Sequence, residues 1–358
     1  MSEARAEGPG GWIIDGRFGL DALRWRSAPV PAPGPGEVRL RLRAMSLNFR
    51  DLLMVTGRYN PRQPLPLVPG SDAVGVVEAV GEGVEGWSVG DRATPLFCST
   101  WLAGPVPAEA TAGTLGGPLP GVFQTHRCLP ARALLRPPAH LSDAEAATLP
   151  CAGVTAWRAL FTEGRLQPGQ TLLTIGTGGV SLFAVQLGRL AGARVLLVTR
   201  SRHKAAAAEA LGAEVIVDAG EAPGWAKAVR AATGGQGVDR VVELGGAGTL
   251  AQSIAATKAG GTIALIGVLD GVVTTLPLTS IFMRGLRLQG IMVGSGEDHA
   301  ALHAALAAHP SLRPVIHARW PLSALPEALA ALGEGQHLGK LVLEAPGAEG
   351  EPYINRSL

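Results

Sequence analysis

The pattern of apolar positions is clearest between residues 171 and 204, where it predicts a strand, a glycine turn, a helix and a second strand. Thr171–Ile175 is a short apolar run, typical of a buried parallel strand. The helix predicted over Val180–Ala191 stops at Gly192, and Arg194–Thr199 is the second apolar run. Apolar side chains recur along that helix at Leu182, Val185, Leu187 and Leu190. This order predicts a βαβ unit.

The same alternation continues to about residue 293. Strands are predicted near 171–175, 194–199, 214–217, 238–243, 262–267 and 287–293. Helices are predicted between them at Ser201–Leu211, Trp225–Ala232, Thr249–Lys258 and Leu276–Arg284. Six strands with helical crossovers predict an α/β fold with a doubly wound parallel sheet.

Strand-like patterns dominate the chain before about residue 135. Strands are predicted there at Val38–Ala44, Val74–Val80 and Gly90–Pro95. Ser142 and Glu145 form a capping box that opens a helix. A final helix over Leu322–Leu332 and a strand over Lys340–Leu343 are expected to return to the first domain. A chain of 358 residues is long enough for two domains.

The glycine turn carries the first sign of chemistry. Gly176, Gly178 and Gly179 follow the first strand directly, and Val180 continues the helix. Glycines let a backbone approach a pyrophosphate, and amides at a helix N-terminus donate to it. Ser181 stands where a third glycine is usual, and its small side chain should preserve close packing. The turn therefore predicts a dinucleotide-binding site.

The end of the second strand indicates which dinucleotide is bound. NAD-specific proteins place an acidic residue there, which binds the ribose hydroxyls and repels a phosphate. This chain has neutral or cationic residues instead: Thr199, Arg200, Ser201 and Lys204. We therefore predict NADP(H), with these side chains facing its 2′-phosphate.

Composition and charge narrow the possible partners. The net charge is +2, with basic residues spread along the chain, so neither nucleic acid nor membrane is expected as a partner. Arg39, Arg41 and Arg43 alternate along one predicted strand, where a solvated face is favoured over an anion site. The N-terminus does not resemble a signal peptide, and no apolar run is long enough for a membrane span. Three widely spaced cysteines indicate a reducing cytoplasm.

Several segments together resemble the medium-chain dehydrogenase/reductase superfamily, over about residues 28–344. They are PGPGEVRLRLRAMSLNFRDLLMVTGRY, PLVPGSDAVGVVEAVGEGVEGWSVGDR, LPCAGVTAWRAL, the glycine turn and HLGKLVLE. Asn48-Phe49-Arg50-Asp51 and Gly57-Arg58-Tyr59 are most similar to the zinc-independent quinone oxidoreductase branch. The resemblance implies a distorted, GroES-like β-barrel catalytic domain and a Rossmann cofactor domain. It places the barrel at 1–157 and 309–345, the Rossmann domain at 158–308 and a mobile tail at 346–358.

The resemblance also indicates that no metal is bound. Zinc members place their ligands at positions that match Asn48, Ser71-Asp72 and Cys151, of which only Cys151 keeps a good ligand type. Catalytic zinc needs three protein ligands. Cys151 is therefore expected to be a small buried apolar group. His299 and His303 have metal-ligand spacing but no third ligand, and a solvated helix face is expected for them.

Without zinc, hydride transfer favours an acceptor that is already electrophilic, such as a quinone or an α,β-unsaturated carbonyl. Tyr59 matches a tyrosine of related reductases and either donates to the developing oxyanion or only walls the pocket. The Asn48 amide either donates a hydrogen bond to the same oxygen or to the nicotinamide ribose, or it only forms hydrogen bonds with backbone groups of its loop. Trp101, in the segment 99–121, either walls the pocket or packs on the barrel.

The resemblance further implies which residues contact the nicotinamide. They are Thr155, Gly267, Val268, Val293 and Gly294. The expected function is NADPH-dependent reduction of a quinone or enone by a homodimer that pairs through the last strand of the sheet. The alternatives are a zinc-free alcohol or aldehyde oxidoreductase, and an NADPH-binding crystallin-like or sensor protein with little turnover.

Overall fold

The structure of the protein is a computed structural model, which describes residues 8–347 apart from 219 and 221–223. Contacts divide the chain into two units, 1–152 with 295–358 and 153–294. From residue 348 onward the expected mobile tail, including Tyr353, lies outside the described residues. No helix within the described ranges has the length and apolar character that crossing a membrane requires.

The described strands and helices follow in chain order. The strands are β1 (Gly10–Ile14), β2 (Leu23–Ser27), β3 (Glu37–Ser46), β4 (Asp72–Val80), β5 (Arg92–Pro95), β6 (His126–Pro130), β7 (Leu134–Leu135), β8 (Thr171–Ile175), β9 (Arg194–Thr199), β10 (Glu214–Val217), β11 (Val238–Glu243), β12 (Thr257–Leu265), β13 (Arg287–Gly290), β14 (Ile316–Pro321) and β15 (Lys340–Glu344). The helices are α1 (Phe49–Val55), α2 (Asp143–Ala146), α3 (Val154–Trp157), α4 (Gly179–Leu190), α5 (Arg202–Ala210), α6 (Trp225–Ala232), α7 (Leu250–Ala256), α8 (Thr279–Phe282), α9 (Gly296–Ala308) and α10 (Leu325–Glu334).

The unit 153–294 contains a parallel sheet in the order β10-β9-β8-β11-β12-β13. Strands β8 to β11 have the predicted bounds. Strand β12 starts earlier than predicted because Thr257 pairs with Val238 across an irregular register. Strand β13 ends at Gly290, before Val293, whose positive φ of 44° does not continue a strand. Helix α8 is shorter than predicted and has no buried face to stabilise a longer helix.

The other unit is built on a sheet in the order β14-β15-β3-β4-β5-β7, with β6 also paired to β3. Strand β3 buries Val38, Leu40 and Leu42 in the core. Its alternate arginines lie on the opposite face, where carboxylates pair with all of them. Arg39 and Arg41 lie 3.6 and 3.0 Å from Glu78, and Arg43 lies 2.8 Å from Asp143. The arginine stripe is thus a partly solvated, ion-paired face.

The boundaries between the units differ from those expected, because α9 belongs with 1–152 rather than with the parallel sheet. Ser295 is the N-cap of α9, and its hydroxyl accepts a hydrogen bond from the amide of Asp298 at 3.2 Å. The amide of Gly296 donates to the carbonyl of Trp101 at 2.9 Å. Trp101 is itself buried, so the 99–121 segment packs on its own unit at this point.

The expectation that His299 and His303 form a solvated helix face is wrong. Both side chains are buried, at 1% and 7% exposure, with ring centroids 4.4 Å apart. Nδ1 of His303 lies 3.0 Å from the carbonyl oxygen of Arg136. Burial lowers the pKa of His303 to about 4 and that of His299 well below its ordinary value. With Leu302 and Leu306 they form one buried helical stripe, so both imidazoles are neutral core groups.

Candidate active site and cofactor loop

The turn between β8 and α4 has the form of a phosphate cradle. Gly176 has a positive φ of 79°, which glycine adopts without strain. A Cβ added at Gly176 or at Gly178 would meet no atom of the protein within 4 Å. The space beside this turn is therefore open, and the amides of Gly179 and Val180 begin the twelve-residue helix α4 next to it. Such a helix N-terminus favours an anionic ligand.

Two residues share the packing role of the missing third glycine. Ser181 is buried, and its hydroxyl donates to the carbonyl of Ile175 at 2.7 Å. Close packing thus survives at this position, as the sequence predicts. A Cβ at Gly188, further along α4, would lie 2.7 Å from a methyl group of Leu172. Gly188 therefore lets the helix approach β8, a role that the sequence analysis missed.

A cavity of about 530 Å³ lies at the carboxyl ends of these strands. Its lining includes Gly176, Thr199, Arg200, Asp218, Trp225 and Asp270. The Arg200 guanidinium is 77% exposed and lies 3.6 Å from the Asp270 carboxylate. The cavity thus brings an exposed cation to the end of β9.

The other two predicted phosphate contacts are placed differently. The Ser201 amide donates to the Thr199 hydroxyl at 3.1 Å. Lys204 lies in the first turn of α5 with its side chain buried, and burial lowers its pKa. Of the predicted cationic contacts, Arg200 is the one that lines the cavity.

Glu243 organises the loop on another side of this cavity, and the sequence analysis missed it. Its carboxylate is fully buried at the end of β11. It accepts hydrogen bonds from the amides of Gly245 (2.8 Å) and Gly246 (3.1 Å) and from the hydroxyls of Thr249 (2.5 Å) and Ser253. The signal in the sequence is an acidic residue that ends an apolar strand and precedes two glycines.

The predicted nicotinamide contacts follow two neighbouring parallel strands. Gly267 and Val268 come after β12, and a Cβ at Gly267 would lie 2.3 Å from the carbonyl of Leu244. Val293 and Gly294 come after β13, and Val293 is held at a positive φ of 44°. A β-branched residue in this region is strained, and such strain concentrates at ligand sites. Thr155, the fifth predicted contact, is buried in α3.

The two predicted oxygen donors lie in the unit 1–152 with 295–358. Tyr59 is 51% exposed, and its hydroxyl bonds to no other atom in the part of the chain that the structure describes. The Arg50 guanidinium lies 4.9 Å from the centre of the Tyr59 ring and 5.0 Å from that of Phe97. Arg50 also donates to the carbonyls of Leu115 (2.8 Å) and Gly117 (3.1 Å). Arg50 therefore holds the Tyr59 ring and leaves its hydroxyl free.

Asn48 is buried just before α1, in a cluster of polar groups. Its backbone amide donates to the Asp51 carboxylate at 2.8 Å, so Asp51 caps the helix. Its side-chain Nδ2 lies 3.4 Å from the hydroxyl of Ser71. Ser71 in turn donates to Asp72 at 2.7 Å, and the amide of Cys151 donates to the other Asp72 oxygen at 3.1 Å.

Lys340, which the sequence analysis missed as a site residue, completes this cluster from the start of β15. Its ammonium donates to the carbonyl of Leu47 and to Oδ1 of Asn48, both at 2.5 Å. Burial lowers the pKa of Lys340 and raises that of Asp72. Burial also raises the pKa of Asp51 to about 6. The cluster therefore combines one buried cation with two buried carboxyl groups.

Comparison with known proteins identifies the family. An alcohol dehydrogenase GroES-like domain model matches residues 34–139, and a zinc-binding dehydrogenase model matches residues 179–308. A zinc-type alcohol dehydrogenase-like protein from Schizosaccharomyces pombe is 41% identical over 307 residues, which cover 84% of this chain and 88% of the relative. The chain belongs to the medium-chain dehydrogenase/reductase superfamily.

Solved structures of this superfamily have the same fold. A structure described as an NAD-dependent alcohol dehydrogenase has a TM-score of 0.85 and 35% identity, covering 94% of this chain and 99% of its own. A mycobacterial quinone oxidoreductase has a TM-score of 0.77 and 27% identity, covering 94% of this chain and 100% of its own. The predicted superfamily and the predicted GroES-like and Rossmann fold are both confirmed.

As a medium-chain dehydrogenase/reductase, the protein is an oxidoreductase, and its superfamily uses NAD or NADP. The open space at Gly176 and Gly178, beside the N-terminus of α4, fits the pyrophosphate of such a cofactor. The adjoining cavity fits the adenosine end, because its lining includes the end of β9, at Val198 and Thr199. The residues present therefore fit a nicotinamide dinucleotide.

The descriptions of one family model and of the fission-yeast relative also imply zinc, but the side chains at the matched positions are already engaged. Oδ1 of Asn48 accepts from an ammonium, and both oxygens of Asp72 accept hydrogen bonds. Cys151 is half-buried, and burial raises the pKa of its thiol, which disfavours the thiolate that binds metals. Among the described residues, no three His, Cys, Asp or Glu side chains are grouped to hold a metal ion. These donors do not fit zinc.

Proposed function

We propose that the protein is an NADPH-dependent reductase that transfers hydride, without a metal, to a quinone or an α,β-unsaturated carbonyl. The observation that carries this proposal is the cluster at the matched metal positions. Asn48 and Ser71 stand there, and the charge of Asp72 is offset by the Lys340 ammonium. The glycine turn between β8 and α4 thus keeps the form of a cofactor site, while the metal ligands that would polarise a simple alcohol are replaced.

The chemistry of the acceptor follows from this replacement. Oxidising a simple alcohol needs an alkoxide, which zinc makes accessible at neutral pH. A conjugated carbonyl or a quinone instead accepts hydride directly and develops negative charge on its oxygen. The nicotinamide supplies the hydride when it is bound. The protein's part is to donate hydrogen bonds, or a proton, to that oxygen.

Tyr59 and Asn48 are the proposed donors. The Tyr59 phenol is exposed, and Arg50 holds its ring by a cation–π contact, so the hydroxyl is oriented and available. Asn48 offers an amide N–H whose orientation is fixed by its buried neighbours. The residues proposed to contact the nicotinamide are Thr155, Gly267, Val268, Val293 and Gly294. The strained φ of Val293 supports this role.

NADPH is proposed over NADH because of the charge at the end of β9. Thr199, and not an acidic residue, ends β9, and Arg200 presents an exposed guanidinium to the same cavity. Ser201 and Lys204 are proposed as further contacts. A cytoplasmic location is proposed as well, because all three cysteines are free thiols.

A second function has its own support. The fission-yeast relative is named as alcohol dehydrogenase-like, and one structural neighbour is described as an NAD-dependent alcohol dehydrogenase. A zinc-free alcohol or aldehyde oxidoreductase is therefore the alternative activity. The third possibility, cofactor binding with little turnover, is disfavoured by the free and oriented Tyr59 hydroxyl.

The metal-free proposal predicts far less than one zinc ion per purified chain. The raised pKa of the Cys151 thiol and the positive charge of the Lys340 ammonium both oppose binding of a metal ion at the matched positions. Elemental analysis measures the metal, and NADPH oxidation is compared before and after chelator treatment. Unchanged activity is expected. Stoichiometric zinc that is lost together with activity would contradict the proposal.

A homodimer is proposed because strand β13 is the edge of the parallel sheet. Leu278, Phe282 and Met283 precede it and are exposed, which supports an apolar interface beside that edge. Light scattering should give about twice the 36.7 kDa chain mass.

The substitution Met283→Glu should shift the dimer toward monomer, because it places a charge in the proposed interface. Val89→Glu is the matched control, because Val89 is similarly exposed, at 69% against 76% for Met283, but lies in the other unit. A wild-type monomer at all concentrations, or equal effects of both substitutions, would refute this interface.

A further inference from the structure

Lys340 is a buried lysine with an unusual set of partners. It is 4% exposed, and its ammonium donates to the Leu47 carbonyl and to Oδ1 of Asn48, both at 2.5 Å. These bonds link strand β15 to the residues just before α1. A buried cation is costly unless opposite charge compensates it, and the carboxyl groups of Asp51 and Asp72 favour the charged form of Lys340.

The bond to Lys340 determines how the Asn48 carboxamide is turned. An ammonium has three donors and no acceptor, so the oxygen of the amide must face it. One N–H of the NH₂ group then faces the Ser71 hydroxyl, 3.4 Å away, which leaves the other N–H for the acceptor oxygen. If the amide were flipped, its NH₂ group would face the Lys340 ammonium, donor against donor. The NH₂ group could then no longer donate to the acceptor oxygen.

We propose that Lys340 is a positioning residue for catalysis, because it orients Asn48 as a hydrogen-bond donor to the acceptor oxygen. This inference rests on the proposed function, in which Asn48 is one of the two donors. Lys340 is too deeply buried to touch the substrate and acts through Asn48.

The orientation of Asn48 can be measured without any turnover. The chain has three asparagines, Asn48, Asn60 and Asn355, so protein labelled with ¹⁵N-asparagine gives three side-chain NH₂ pairs in a two-dimensional spectrum. Asn48→Ala identifies the pair of interest. In Lys340→Met we expect solvent exchange of the Asn48 amide to rise about tenfold or more, since a bond to a charged donor is lost. The Asn60 pair should stay unchanged, and unchanged exchange at Asn48 would overturn the inference.

A double-mutant cycle then tests whether Lys340 acts through Asn48. The turnover number is measured with NADPH and 2-cyclohexenone for Lys340→Met, Asn48→Ala and the double variant. We expect Lys340→Met to lower the turnover number about tenfold or more and to leave the KM for NADPH unchanged. The loss should be smaller than the roughly 10²–10³-fold loss caused by removing an oriented donor entirely. In the Asn48→Ala background, Lys340→Met should have no further effect. Lys340→Arg should recover part of the loss.

The outcomes separate this inference from the proposed function. If Asn48→Ala is slow and Lys340→Met lowers its turnover number further by the full factor, the role of Lys340 is overturned while the role of Asn48 stands. Wild-type turnover of Asn48→Ala would overturn the role of Asn48 itself. Because Lys340→Met leaves a buried carboxylate unpaired and could unfold the protein, Lys340→Met with Asp72→Asn is compared with Asp72→Asn alone. The same rise in Asn48 exchange is expected there, and its absence would count against the inference.

Discussion

Replacing Tyr59 with phenylalanine is expected to lower the turnover number on an enone such as 2-cyclohexenone by about 10²–10⁴. The phenol is the proposed proton donor to the oxygen that becomes negative as hydride arrives, so its contribution belongs to the transition state. The substitution keeps the ring, and with it the contact to Arg50. NADPH affinity and thermal stability should therefore stay near the wild-type values.

Two comparisons sharpen the Tyr59 experiment. Tyr353 is the other tyrosine of the chain, so Tyr353→Phe is the matched control and should turn over normally. A quinone can take its proton from water after accepting hydride, so the loss should be smaller for 9,10-phenanthrenequinone than for the enone. Wild-type turnover of Tyr59→Phe on every accepted substrate would leave Tyr59 as a pocket wall and Asn48 as the next candidate donor.

Replacing Arg200 with alanine should raise the dissociation constant for NADPH about tenfold or more, because a charge-assisted bond is worth roughly 1.5–3 kcal/mol. The guanidinium is exposed in the cavity, and its one carboxylate partner among the described residues, Asp270, lies as far as 3.6 Å away, so the guanidinium is available to a phosphate. Its removal also leaves the Asp270 carboxylate without its partner beside the phosphate. Binding of NADH, which lacks that phosphate, should barely change.

The control for Arg200 is a cation of the same type two residues along the chain. Arg202 begins α5 and is exposed, and Arg202→Ala should leave both dissociation constants unchanged. Fluorescence titration of each variant with NADPH and NADH measures all of these constants. Equal wild-type affinity for the two cofactors, or an equal loss for both in Arg200→Ala, would contradict the proposed preference.

The parts of the fold that the sequence predicts well depend on local patterns. Strands β8 and β9 have the predicted bounds because each is a short, mainly apolar run with a glycine near one end, Gly176 after β8 and Gly192 before β9. The capping box at α2 is present, with the Ser142 amide 2.8 Å from the Glu145 carboxylate. The glycine turn is equally local, and the open space beside it agrees with a phosphate site.

What the sequence does not predict depends on distant contacts. Lys340 reaches Asn48 across 292 positions of the chain, and no local pattern indicates that pairing. The buried histidines of α9 show a different cause. Their spacing is that of a metal pair, and a solvated face is favoured because no third ligand is found. However, His299, Leu302, His303 and Leu306 also form one stripe, and its apolar members lie in the core.

Initial rates of NADPH oxidation by metal-free protein, with chelator present, test the central claim most directly. The acceptors are 9,10-phenanthrenequinone and 2-cyclohexenone, and the reverse assay offers a primary alcohol with NADP⁺. We predict turnover with the quinone or the enone, faster with NADPH than with NADH, and none with the alcohol. Oxidation of the alcohol that appears only after zinc is added, with neither conjugated acceptor reduced, would contradict the account.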